Sequence, residues 1–160
     1  MHRTLRCGVV AGSAALAAMA ALAGPATAGG RPFAMALSGA EEAPVNAHGD
    51  ADRGSVELTL NQGQGEVCFS FGTLTLTPGE PLPRAGHIHE APVGAAGPIV
   101  VHLFDPGTAP ASYPTAKRCV PAPKDLVKEI RQNPGDYYVN LHNATHPSGA
   151  VRGQLSGPGT

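Results

Sequence analysis

The 160-residue chain has no tryptophan, and aromatic residues make up only 4% of it, so any core must rest on aliphatic side chains. Charged residues are also few, at 14%, and they nearly balance at a net charge of −1. Such a mild, dispersed balance argues against nucleic acid or an anionic membrane as partner. No Ser-His-Asp arrangement, phosphate-cradling glycine loop or carboxylate pair for glycoside chemistry is present. No internal repeat, linker or second domain is visible, and the only long apolar run lies at the N-terminus. What the chain has in quantity is turn residues, with 21 glycines and 16 prolines, which suit many short strands.

The N-terminal run reads as a secretory signal. Arg3 and Arg6 precede an uncharged stretch from Val9 to Ala23, and Ala26-Thr27-Ala28 supplies small residues for cleavage. Residues 1–28 are therefore expected to be a signal peptide, and no membrane span is expected in the mature chain. Cleavage would lower the Lys+Arg count from 11 to 9 against 12 Asp+Glu, a mature charge of −3. It would also remove Cys7, one of three cysteines. Cys68 and Cys119 then remain, and an even count in an exported protein predicts a disulfide between them.

Alternation places the strands. Phe33, Met35 and Leu37 share one face, as do Val56, Leu58 and Leu60 of the next run. Asn61 to Gly65 turns the chain into Glu66–Phe71, giving the clearest hairpin of the sequence. Further strands are predicted at Ala85–Glu90, Ile99–Phe104, Asp136–His142 and Ala150–Leu155. Ile99–Phe104 is apolar on both faces, as expected of a central strand. A long loop is predicted from Asp105 to Ala122, carrying Cys119. The one predicted helix is Lys124–Gln132, after Pro123 and stopped by Asn133-Pro134-Gly135. About seven short strands with one short helix predict an all-β fold, an antiparallel Greek-key β-sandwich, immunoglobulin-like or superoxide-dismutase-like in outline.

The chemistry concentrates in histidines. His87 and His89 stand two apart on a strand and so share a face, and His142 ends a second strand. If the strands meet, three imidazoles offer nitrogen donors suited to copper or zinc. His102 is a further candidate ligand. The competing reading is a structural polar cluster, with the histidines bonded to each other and to Glu90, Asn140 or Arg152. Arg152 is expected to pair with Glu90, Glu41 or Glu42. His146 and His48 read as exposed loop residues.

Three blocks carry a family resemblance: Leu37 to Val45, Gly86 to Glu90 with Gly97-Pro98-Ile99-Val100, and Tyr138 to His142 through Gly149 to Leu155. In this order they resemble a CHRD domain, the repeated domain of chordin, and the likeness covers nearly all of residues 29–160. It implies an extracellular β-rich module. One departure is Ala150, where an acidic residue often stands. A second, weaker resemblance is to copper-zinc superoxide dismutase, through His87-Ile88-His89-Glu90 followed by Gly97-Pro98. It implies His87, His89 and His142 as copper ligands and Arg152 as a substrate-guiding arginine. The likeness ends there, because Ile99 follows Gly97-Pro98, the nearest histidine is His102, and no dense His/Asp loop for zinc is found.

Together these readings predict a secreted, disulfide-stabilised module of non-enzymatic binding or structural role. Its partner would be an extracellular protein or cell-envelope ligand. The alternative is a copper- or zinc-binding protein built on His87, His89 and His142.

Overall fold

The computed structural model describes residues 30–43, 51–107 and 113–156. The expected signal peptide, Pro44 and Val45 of the first family block, and His48 lie outside them. The strands are β1 (Arg31–Ser38), β2 (Arg53–Asn61), β3 (Glu66–Phe71), β4 (Ala85–Glu90), β5 (Ile99–Phe104), β6 (Arg118–Pro121), β7 (Tyr137–His142) and β8 (Val151–Gln154). One helix, α1 (Lys124–Gln132), joins β6 to β7 through a short 3-10 turn, Pro134–Asp136.

All eight strands belong to one antiparallel sheet, ordered β5-β4-β7-β8-β1-β2-β3-β6. The sheet is two four-stranded halves, because β8 and β1 join only where Ser38 opposes Arg152. Around that hinge the sheet curls until β5 and β6, its two free edges, approach one another. The result is an all-β Greek-key arrangement close to a barrel. Its core is aliphatic with a few rings: Leu37, Val56, Leu58, Leu60, Ile88, Val139, Leu141 and Val151 are each at most 1% exposed, packed with Phe69 and Phe71. The expected β2–β3 hairpin forms, with Asn61 opposite Glu66 and Val56 opposite Phe71, and Gly65 in its turn takes a positive φ of 70°. Helix α1 buries Val127 and Ile130 against this core and turns Lys128 and Glu129 to solvent.

Two expectations are corrected. Within the predicted loop from Asp105 to Ala122, Arg118–Pro121 is an eighth strand, because Cys119 lies directly opposite Cys68 on β3 and the two are disulfide-bonded, with an S–S distance of 2.00 Å. The loop prolines hid a four-residue strand that takes its pairing from β3. Ile99–Phe104 is an edge strand, not a central one, since it pairs only with β4. Register shifts between Gly86 and His87 and between Ile88 and His89 bend this pairing, so Leu103 and Phe104 are both buried while Ile99 and His102 are exposed. Among the described residues no helix is long and apolar enough to cross a membrane.

Candidate metal centre

Pairing between β4 and β7 fixes two faces. Gly86, Ile88, Leu141 and Val139 turn to the core, whereas His87 opposes Asn140, His89 opposes Tyr138 and Ala85 opposes His142 on the outer face. Beyond β7 the same outer face continues with Arg152 opposite Asn140 and Gln154 opposite Tyr138. An outer face of a sheet normally meets water. Here loops cover it, and His87, His89, Asn140, His142 and Arg152 are all buried.

The residues from Ala91 to Gly97 form one cover. Arg152 reaches into this loop, donating to the carbonyls of Ala95 at 2.6 Å and Pro92 at 2.9 Å and to Gln154 Oε1 at 3.0 Å. Its guanidinium also lies 3.4 Å from the centroid of the Tyr138 ring, on which His89 stacks with an interplanar angle of 14°. The expected ion pair with Glu90, Glu41 or Glu42 is thus replaced by carbonyl acceptors and an aromatic face. Glu90 itself is exposed at the end of β4. Asn140 donates to Glu42 Oε2 at 3.3 Å and to the carbonyl of Ser148 at 3.5 Å. Burial pushes the Glu42 carboxyl up to about 7, against the lowering effects of Asn140 and Arg152.

His87, His89 and His142 converge: one ring nitrogen from each lies within 4.8 Å of the others. Every ring has one nitrogen engaged on its outer side. His87 Nε2 is 2.8 Å from Asp105 Oδ1, His89 Nδ1 is 2.9 Å from the Gly97 carbonyl, and His142 Nδ1 is 3.2 Å from the Pro147 carbonyl. These acceptors hold no proton, so each outer nitrogen donates and the other is left as a lone pair. The other nitrogens, His87 Nδ1, His89 Nε2 and His142 Nε2, are buried and meet no hydrogen-bond partner among the described residues. Burial lowers the pKa of all three rings, that of His142 to about 4, which keeps the rings neutral at physiological pH.

His102 does not join these three. It stands opposite His87 on β5 with its side chain 63% exposed, and its Nδ1 is 2.8 Å from Asp105 Oδ2. Asp105 therefore spans two imidazoles, which hold its carboxyl below the usual range despite the opposing effect of burial. His146, expected to be exposed, is buried, and its Nε2 lies 3.3 Å from Glu80 Oε1. Asn143 organises that corner, donating to Glu80 Oε2 at 3.1 Å and accepting from the His146 backbone N–H at 2.6 Å.

Sequence reasoning missed the outer acceptors. Asp105 carried a usable signal, an acidic residue three positions after His102 at the close of a strand. The carbonyls of Gly97 and Pro147 carried none, because every residue has one.

The family model of the CHRD domain matches residues 33–155, a span that contains all of these histidines and reaches from β1 to the residue after β8. No curated protein and no solved structure matches the chain.

Proposed function

We propose, for a chain that belongs to the CHRD domain family, an exported, non-enzymatic module that binds one copper or zinc ion through His87, His89 and His142. The observation that carries this reading is the set of three inward lone pairs. A polar network would need a donor between them, and neither Asn140, Arg152 nor Glu90 supplies one. Three neutral imidazoles turned on each other with no proton among them leave acceptors buried without partners, an arrangement that costs stability until a cation fills it.

The donor chemistry supports the same reading. Three imidazole nitrogens suit copper or zinc, leave a further coordination position open and exclude magnesium or calcium, which take oxygen. Each ring is steadied from outside by a carboxylate or a carbonyl, the arrangement that fixes tautomer and direction in metal-ligating histidines. Bonds of about 2.0–2.1 Å ask the three nitrogens to close in from the 4.8 Å within which they lie, on strands already paired. Export agrees with the disulfide, which persists in oxidising compartments, and with the basic, apolar and small-residue pattern of residues 1–28.

The test is metal analysis and calorimetric titration of tag-free mature protein with Cu²⁺ and Zn²⁺. One tight equivalent that disappears in His89→Ala and His142→Ala is expected. Binding no tighter than micromolar for both metals would leave a purely structural or protein-binding module, which pull-down from the cell envelope would then examine.

A further inference from the structure

We infer a second, outer metal site, a surface position for a zinc-class divalent cation formed by His102, Asp105 and the outward nitrogen of His87. One atom from each of these residues lies within 4.8 Å of the others. The set comprises two imidazoles and one carboxylate, a donor combination that zinc accepts with water completing its shell. Where the inner three nitrogens are buried, this group faces solvent: Asp105 is 30% and His102 63% exposed at the side chain.

The geometry is already that of a gathered site. Asp105 holds His87 Nε2 and His102 Nδ1 at 2.8 Å each, one on either carboxylate oxygen. The rings of His87 and His102 stand 4.9 Å apart at the centroids. A cation binding His87 at Nε2 takes the place of its proton. With the inner site empty that proton shifts to Nδ1, and with an ion already on Nδ1 it is released to solvent and the ring bridges the two ions as an imidazolate. His102 binds through a ring lone pair. Both rings are held by strand pairing, since His87 and His102 oppose each other between β4 and β5. Access exists through a cleft of about 610 Å³ between β5 and β6, lined by His102 and Asp105 on one side and by Lys117, Arg118 and Val120 on the other. The two cations of the far wall repel a metal ion, so this site is expected to bind more weakly than the inner one.

His87 belongs to both sites, with Nδ1 turned inward and Nε2 outward, but the two are separable by their unshared ligands. Chelator-treated full-length mature protein is titrated with Zn²⁺ alone, by calorimetry and by metal content after desalting at rising Zn²⁺. Two equivalents of unequal affinity are expected for the wild type. The weaker should vanish in His102→Ala, whose exposed side chain leaves the core untouched, and persist in His89→Ala, where the inner site is broken. Saturation of the wild type at one equivalent that His102→Ala still binds in full would overturn the inference. So would a second equivalent that survives His102→Ala. Loss of nothing in His89→Ala, with one equivalent lost in His102→Ala, would refute the inner site and uphold the outer one.

Discussion

His87 is bonded to Asp105 through Nε2 at 2.8 Å and leaves its Nδ1 buried and unpartnered beside His89 and His142. The carboxylate thus sets which nitrogen of His87 carries the proton. Asp105→Asn keeps a hydrogen-bonding group of the same size but withdraws the charge that favours Nε2–H. We expect inner-site affinity for Zn²⁺ to fall roughly 10- to 100-fold, as for other outer partners of metal-bound histidines, with the fold intact by circular dichroism. Unchanged affinity in that titration would mean that His87 is aligned by its strand alone.

Gly97 is a second lever on the site. Its carbonyl accepts from His89 Nδ1 at 2.9 Å, and its N–H donates to the Tyr138 hydroxyl at 3.1 Å. A Cβ here would overlap the Glu90 carbonyl oxygen and stand 2.6 Å from the Glu90 carbonyl carbon. Backbone cannot swing aside as a side chain does, so Gly97→Ala must move the loop. Overpacking of this kind costs about 1–3 kcal/mol, and the loss of the His89 bond should weaken metal binding in the same variant. Denaturant unfolding and Zn²⁺ titration report the two effects, and wild-type values in both would contradict the tight approach.

The disulfide argues from chain entropy. Cys68 and Cys119 are separated by 51 positions, and joining them ties β6 to β3. Cys68→Ala/Cys119→Ala should lose up to about 4 kcal/mol by the loop-closure estimate. Because β6 is four residues long and ends in Pro121, which has no N–H to give the ladder, its pairing should loosen first. Hydrogen exchange at Val120 rising before that at Val67 would display this order, and simultaneous loss of both would refute it.

What could be read in advance follows where side chains state their own environment. The alternation in Ser55–Leu60 and Glu66–Phe71 names a buried face, and the two strands pair as the expected hairpin. Helix Lys124–Gln132 was equally legible, because Val127 and Ile130 are apolar among charges and Pro134 ends the run. By contrast, β6 owes its existence to a partner 51 positions away, so Arg118-Cys119-Val120-Pro121 shows no pattern of its own. Ile99–Phe104 misled because bulged pairing with β4 buries successive residues, which imitates a strand covered on both sides. At the site, the shared face of His87 and His89 was visible from spacing, but its burial was not. Over His89 the cover is the Ala91–Gly97 loop, fastened by Arg152 through backbone carbonyls that no sequence distinguishes.

Glu42 gives the fold a pH dependence of definite sign. Burial raises its carboxyl from 4.5 to about 7, while in the unfolded chain it returns to the ordinary value. Between these pH values the folded protein holds a proton that the unfolded chain releases, so this group's contribution is fully present below about 4.5 and is lost as pH rises through about 7. At 4% exposure, solvent screening does little to reduce the effect, which is on the order of 3 kcal/mol. Glu42→Gln retains an oxygen to accept from Asn140 and has no proton to lose. Its stability relative to wild type should therefore improve by up to about 3 kcal/mol from pH 4.5 to pH 8, in urea unfolding of chelator-treated protein. His142, whose pKa is lowered by burial to about 4, pulls in the opposite direction over much of this range, but it is common to both proteins and cancels in the difference. A difference between the two proteins that is flat across this range would mean that Glu42 is ionised in the fold at neutral pH. The carboxylate would then have to be stabilised by more than the Asn140 amide that meets its Oε2.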